Sequence, residues 1–261
     1  MDSSYIAVVD SGVGGVSVLN ECLKVLPREN YIYYADIANS PYGNKNKRQL
    51  NGIIKNIIEH LSRNYNIKIF VLACNTITAT SIECLRASFP KLIFVGIEPA
   101  IKPAIQASGN TLVMLTDSTY RYSRFVESYI GKFDGLYFCP QKTLAKIIDS
   151  NLSGSFAIQK ALDEILEKYA SRNIQNVVLG CTHFVFIKRE IKKILGDVRF
   201  FDSAKGVAER VKQLVCGMAT NGALDGDACA KKENSSACNV LIEAVGDLAF
   251  SEKIREYINF R

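Results

Sequence analysis

The chain has 261 residues, of which 48% are hydrophobic and 22% charged, and a formal net charge of +6. This composition is typical of a soluble globular protein with one or two domains, and the dispersed basic residues include no nucleic-acid-binding motif, so we expect no nucleic acid as a partner. The first residues lack a basic region ahead of an apolar stretch, and no apolar run approaches the roughly 18 residues of a membrane span. We therefore expect a cytoplasmic protein without membrane contact.

Strand-like apolar runs alternate with helix-like patterns along the chain. Such alternation is typical of α/β proteins with mainly parallel sheets, which is the predicted fold class. Strands are predicted at Tyr5–Val9, Tyr31–Ala35, Lys68–Ala73, Leu92–Ile97, Thr111–Leu115, Leu136–Phe138, Asn176–Leu179, Val198–Phe201 and Asn239–Ala244. Helices are predicted at Val16–Leu26, 48–65, Thr76–Phe89, Tyr122–Ile130, Phe156–Ala170, Phe184–Leu195, Gly206–Val215 and Ala249–Phe260, and a polar, glycine-rich loop at 217–236.

Polar residues stand where several of the predicted strands end. In open α/β sheets, ligands bind at the carboxyl ends of the strands. We therefore take these residues as candidates for a binding or catalytic site. They are Asp10 and Ser11, Cys74 to Thr76, Thr116 to Thr119, and Cys181 to His183.

The glycine-rich stretch DSGVGG at residues 10–15 lies between a predicted strand and a predicted helix. A dinucleotide-binding motif would need a glycine at position 17, which is Ser17, and a phosphate-binding loop would need a Gly-Lys-Ser/Thr ending. Neither is present. Two interpretations remain open: a tight turn, or glycines that make room for a ligand faced by Asp10 and Ser11.

The segment VLACNT at 71–76 has an echo in VLGCTH at 178–183, with the two cysteines 107 positions apart. The echo predicts two halves of similar build, each with one cysteine between a strand and a helix, where amide dipoles favour the thiolate. The eight cysteines include no CxxC pair and are expected to be thiols rather than disulfides or zinc ligands. Two thiols facing each other across a cleft could remove a proton from one face of a carbon and return one on the other. Cys74 and Cys181 therefore indicate inversion of a stereocentre.

His183 lies two residues after Cys181, which also fits a cysteine hydrolase. That alternative leaves the second strand-end cysteine without a role. We expect His183 to belong to the site and His60, on the amphipathic helix, to be structural.

Several motifs together resemble the cofactor-independent glutamate racemases of the aspartate/glutamate racemase superfamily. They occur in family order along the chain: DSGVGG at 10–15, SPYG at 40–43, ACNT at 73–76, GIEPA at 96–100, GCTHF at 180–184 and DSA at 202–204. The resemblance implies two α/β domains related by a pseudo-twofold axis, with the active site in the cleft between them. The first domain would comprise residues 1–97 plus 207–261, and the second residues 98–206.

The resemblance also implies roles for individual residues. Cys74 and Cys181 would be the acid/base thiols, assisted by Asp10 and His183, and Asp149 stands where the family usually has a glutamate. The residues expected to line the substrate are Ser11, Pro41, Tyr42, Gly43, Asn75, Thr76, Thr116, Thr119 and Thr182. Hydroxyl, amide and backbone N–H groups of this kind can hold carboxylates without a buried cation.

The implied function is interconversion of L- and D-glutamate, which would supply D-glutamate for peptidoglycan. No cofactor and no metal are expected, and family members are often homodimers, so a homodimer is expected here. Three alternatives stay open: an aspartate or broad-specificity racemase with the same mechanism, a one-cysteine decarboxylase or isomerase of the superfamily, and a non-catalytic amino-acid-binding protein on this fold.

Overall fold

The computed structural model describes residues 4–151, 156–220, 238–246 and 248–258. The strands are β1 Tyr5–Asp10, β2 Asn30–Asp36, β3 Ile67–Leu72, β4 Phe94–Gly96, β5 Asn110–Thr116, β6 Leu136–Gln141, β7 Ile174–Gly180, β8 Arg199–Phe201 and β9 Val240–Val245. The α-helices are α1 Val16–Val25, α2 Lys47–Asn64, α3 Asn75–Ser88, α4 Ile101–Gln106, α5 Asp117–Tyr122, α6 Arg124–Glu127, α7 Leu144–Ser150, α8 Phe156–Leu166, α9 Lys188–Leu195, α10 Ala204–Thr220 and α11 Leu248–Tyr257. Short 3-10 helices cover Ile37–Asn39, Tyr42–Asn44, Glu167–Arg172 and Thr182–Ile187.

The strands form two parallel sheets, which confirms the predicted α/β fold class. The five-stranded sheet has the order β4-β3-β1-β2-β9, and the four-stranded sheet has the order β8-β7-β5-β6. The second order repeats the first four strands of the first, with β5 in the place of β1 and β7 in the place of β3. The sequence echo therefore reflects a repeated strand order, and β9 is an addition to the first sheet.

Helices cover both faces of each sheet, and this explains the continuous apolar runs of the strands. In β1, Ile6 and Val8 pack with α1 and α10 on one face, whereas Ala7 and Val9 pack with α2 and α3 on the other. The four-stranded sheet is covered by α7, α8 and α9 on one face and by α4 on the other. None of the helices in the described residues combines the length and the apolarity needed to cross a membrane.

The predicted helix Tyr122–Ile130 is wrong in its bounds. The chain instead forms α5 and α6, separated at Ser123. Thr116 accepts a hydrogen bond from the Thr119 N–H and Ser123 accepts one from the Val126 N–H, so two hydroxyl caps start two short helices.

Other differences concern helix ends and short helices. The predicted helix Phe184–Leu195 is a 3-10 helix as far as Ile187 and α-helical only from Lys188, and α8 ends at Leu166 with a 3-10 segment after it. Helices α4 and α7 were not predicted, and α10 includes residues 217–220, which the sequence placed in a loop. Residues 221–236 of that loop, and Phe260, lie outside the described residues.

The expectation that all cysteines are thiols is wrong at Cys216, which is disulfide-bonded. Cys74 and Cys181 are free thiols, as are Cys22, Cys84, Cys139 and Cys238. The two cysteines of the candidate site therefore remain available for proton transfer.

Candidate active site

Cys74 and Cys181 occupy corresponding points of the two sheets. Cys74 lies two residues after Leu72, the last residue of β3, and is the N-cap residue of α3. Cys181 directly follows β7 and is the N-cap residue of the 3-10 helix Thr182–Ile187. Each is only 6% exposed. The repeated strand order thus delivers one buried thiol from each half of the chain.

The electrostatic environment of Cys74 favours its protonated form. Burial is the main cause, and the negative charges of Asp10 and Cys181 add to it, so the pKa of Cys74 rises to about 12. The Ile77 N–H and the charge of His183 offset this only in part. Because charge on Cys181 acts on Cys74, the two sulfur atoms belong to one electrostatic site.

Cys181 has a cationic neighbour instead. The Nδ1 atom of His183 lies 3.7 Å from the Cys181 Sγ atom, and its Nε2 atom lies 2.9 Å from Oδ1 of Asp149. Neither Nε2 nor Oδ1 has a well-directed hydrogen bond, so the His183–Asp149 contact is a pairing of charges. Burial lowers the pKa of His183, but Asp149 and Cys181 outweigh burial and raise it well above its usual value. A protonated imidazole ring thus lies beside the Cys181 sulfur atom.

Asp10 links the ends of the two sheets. It is fully buried, its Oδ1 accepts a hydrogen bond of 2.9 Å from the Gly12 N–H, and its Oδ2 accepts one of 3.1 Å from the Thr182 hydroxyl. Burial raises the pKa of Asp10, an effect opposed by His183 and by the Gly12 hydrogen bond. Asp10 therefore contributes a carboxyl group that can take up a proton near Cys74.

The glycines of DSGVGG make room for this arrangement. A Cβ atom at Gly12 would lie 3.0 Å from Nε2 of His183, and one at Gly14 would collide with the Thr182 hydroxyl and approach Nδ1 of His183 to 2.8 Å. The glycines thus make room for the side chains of Thr182 and His183 from the other half, which differs from both interpretations of this stretch.

We expect Gly14→Ala to lower activity at least about tenfold, because the new methyl group displaces Thr182 and His183. It should also destabilise the fold by about 1–3 kcal/mol through overpacking. The control is Gly52→Ala in α2, where a Cβ atom meets nothing within 4 Å. This change should raise the free energy of unfolding by about 0.5–1 kcal/mol, because alanine favours a helix more than glycine does. Steady-state kinetics and urea unfolding of both variants measure these effects, and a fully active Gly14→Ala would contradict the assignment.

A cluster of hydroxyl groups lies between the halves. The Oγ1 atom of Thr76 is 2.9 Å from that of Thr116 and 3.4 Å from that of Thr119, and Thr116 and Thr119 are 2.8 Å apart. All three are buried. This hydroxyl cluster (Thr76, Thr116, Thr119) provides three donors that a carboxylate could recruit.

The segment 36–43 forms a further wall. The Tyr42 hydroxyl donates to Oδ2 of Asp36 at 2.5 Å, which fixes Tyr42 in the interior. Gly43 packs on Thr116, since a Cβ atom there would be 3.2 Å from that of Thr116, and its carbonyl accepts a 2.7 Å hydrogen bond from Ser118. Pro41, within this segment, follows a cis peptide bond.

Two residues that were predicted to line the substrate, Ser11 and Asn75, make no contact that defines such a role. Asn75 donates a 3.4 Å hydrogen bond to the Ile97 carbonyl, and Ser11 is buried in the turn after β1. Sequence reasoning missed Asp36, although Asp36 ends a strand as Asp10 does, so the strand-end signal could have found it. Ser118 lies within the candidate stretch 116–119, but its contact with Gly43 of the other half could not be predicted from the sequence.

The chain matches the Asp/Glu/Hydantoin racemase family over residues 6–211. It is 37% identical to the glutamate racemase of Clostridium acetobutylicum over 213 residues, which cover 80% of this chain and 82% of the relative. The chain belongs to the Asp/Glu/Hydantoin racemase family. Membership in this racemase family agrees with the predicted resemblance and with two buried thiols at equivalent strand ends.

Solved structures in the racemase family have the same fold. Glutamate racemase isoform RacE1 from Bacillus anthracis superposes with a TM-score of 0.77 at 25% identity, covering 98% of this chain and 94% of that one. The glutamate racemase from Francisella tularensis in complex with D-glutamate has a TM-score of 0.77 at 22% identity, covering 100% and 96%. The likeness extends over the full chain, including the elements after residue 211.

Proposed function

We propose that this racemase interconverts L- and D-glutamate by a two-base mechanism in which Cys74 and Cys181 act on opposite faces of the α-carbon. The observation that carries the proposal is the placement of one buried thiol at each of two equivalent strand ends, coupled through charge. Support for the substrate comes from the relative of 37% identity, which is a glutamate racemase. We also propose the domain division at residues 1–97 plus 207–261 and 98–206, because β9 joins the first sheet.

The opposite charge environments of the two thiols suit this reaction. In one direction, the Cys181 thiolate beside His183 removes the α-proton, and the Cys74 thiol gives its proton to the other face. The products are a Cys181 thiol, a Cys74 thiolate and the opposite enantiomer. In the reverse direction the roles exchange, and Asp10 can hold a proton while Cys74 is ionised, which reduces the repulsion between them.

Negative charge that develops at the α-carboxylate needs donors. The hydroxyl cluster, the Thr182 hydroxyl and the N–H groups at the start of α3 are the available groups around the thiols. No cofactor or metal takes part in the steps proposed here. The remaining predictions, a cytoplasmic homodimer that supplies D-glutamate for peptidoglycan, stand as part of the proposal.

Isotope incorporation in heavy water tests the mechanism. With L-glutamate as substrate, early product D-glutamate should carry deuterium at the α-carbon, while the remaining L-glutamate keeps its proton. Equal deuterium in both enantiomers from the start would indicate a single base and contradict the two-thiol mechanism. If the folded protein does not exchange the α-proton of glutamate, the result favours a binding protein. A parallel reaction with aspartate, followed by chiral chromatography, decides between glutamate and aspartate as the substrate.

A further inference from the structure

A cavity of about 470 Å³ lies beside the hydroxyl cluster and is not used by the proposed mechanism. Its walls come from both halves: the 3-10 helix Tyr42–Asn44 and the start of α2 on one side, and α5 and the turn between β6 and α7 on the other. We call this cavity the vestibule. Its lining includes Gly43, Lys45, Asn46, Ser118, Arg121 and Lys142.

The vestibule is electropositive. Lys45 and Lys142 form no ion pair within the described part of the chain, whereas Arg121 is paired with Asp117 at 2.8 Å. Asp117 is the acidic residue among those that line it, so the four charges sum to +2. A cleft lined by one sign of charge raises the local concentration of a ligand of the opposite sign.

The start of α2 adds to this field. The helix begins at Lys47 and carries Lys47 and Arg48 in a first turn without any acidic residue. Cations at the N-terminus of a helix oppose the helix dipole, so they weaken α2 slightly. The Asn46–Gln49 capping box holds the turn in place despite them. The N-terminal end of the helix dipole and these two cations are positive, as is the net charge of the residues that line the vestibule.

The vestibule adjoins the candidate active site through one shared layer of residues. Ser118 and Gly43 line it and are joined by the 2.7 Å hydrogen bond from Ser118 Oγ to the Gly43 carbonyl. Gly43 also packs against Thr116 of the hydroxyl cluster. The same residue therefore contacts both the vestibule and a group proposed to hold the substrate carboxylate.

We propose that the vestibule is an outer binding site for the carboxylate groups of the amino-acid substrate, where Lys45 and Lys142 collect the anion before it enters the inner site. This inference rests on the proposed function, because it takes a dicarboxylic amino acid as the ligand. The lysines act on substrate capture and leave the proton transfer unchanged. They are capture residues, outside the catalytic pair.

Charge reversal tests the proposal. Lys45→Glu and Lys142→Glu should each lower kcat/KM for glutamate about three- to fivefold at low salt, with kcat unchanged, and the double variant about tenfold or more. Lys55→Glu in α2 and Lys132→Glu in the second half make the same charge change away from the vestibule and should leave kcat/KM within about 1.5-fold. The ratio of kcat/KM between the wild type and the charge-reversal variants should fall as ionic strength rises from about 0.01 to 0.3 M.

The outcomes separate the two proposals. A wild-type protein without glutamate turnover would overturn the proposed function. A wild type that racemises glutamate, with folded Lys45→Glu and Lys142→Glu variants that match their controls in kcat/KM, would overturn the vestibule alone. A fall in kcat with unchanged KM would also overturn it. Thermal melting of each variant checks folding, and Lys45→Gln and Lys142→Gln should show about half of the effect on a logarithmic scale.

Discussion

Replacement of either Cys74 or Cys181 by serine is expected to lower kcat for glutamate racemisation by about 100- to 10,000-fold. A serine hydroxyl is a far weaker acid than a thiol, so it can neither supply a base nor donate its proton at neutral pH. Because the two thiols act in one step, the double variant should be about as impaired as either single variant. Polarimetry or chiral chromatography measures the effect.

Cys139→Ser is the matched control for this experiment. Cys139 is fully buried, as the two site cysteines nearly are, and lies in β6, two strands away from the β7 strand that leads to Cys181. Its thiol accepts a 3.2 Å contact from Gln141, which a hydroxyl can also accept. This variant should retain activity within about twofold. Full activity in folded Cys74→Ser or Cys181→Ser would refute the pairing of the thiols.

Replacement of His183 by glutamine is expected to lower kcat about 10- to 100-fold, because the Cys181 thiolate loses its cationic neighbour. It should also cost about 3 kcal/mol of unfolding free energy near pH 6, since Asp149 is left without its buried partner. Steady-state kinetics and urea unfolding measure both. His60→Gln is the control: its pair with Glu243 is on the surface, with the His60 side chain 50% exposed, and should contribute less than about 1 kcal/mol.

The stability effect of His183 has a defined pH dependence. The folded protein holds the pKa of His183 well above its unfolded value near 6.5. A raised pKa contributes stability that is fully present below pH 6.5 and is lost as pH rises through the folded pKa. The stability difference between wild type and His183→Gln should therefore narrow on going from pH 6 to pH 9. A difference that grows over this range would contradict a protonated His183.

The strands and the thiol pair could be predicted because their signals are local. Each strand is a short apolar run that both sheet faces bury, and the polar residues after it mark the binding edge. The echo of VLACNT in VLGCTH showed where each half places its cysteine, and the structure confirms the repeated strand order behind it. Strands β6 and β7 each exceed their predicted bounds by three residues, and β6 continues through Pro140, which an edge strand tolerates.

The remaining features depend on contacts between distant residues. The break at Ser123 depends on which of several hydroxyls caps a helix. The contact between His183 and Asp149 joins residues that are far apart in the sequence. The pKa of Cys74 follows from burial and from charges of both halves. None of these is encoded in a pattern along the chain, so the assignment of roles stays a prediction that the variants above test.

The hydroxyl cluster has a consequence for how the protein releases what it makes. Thr76 bonds to Thr116 and Thr119 across the gap between the halves. Under the proposed function, a carboxylate that binds here replaces these hydroxyl–hydroxyl bonds, and their loss offsets part of the hydrogen-bond energy that it gains. When it leaves, the threonines pair again. L- and D-glutamate have equal free energies in water, so a racemase has to release either enantiomer. Threonines that pair with one another again when the ligand leaves help that release.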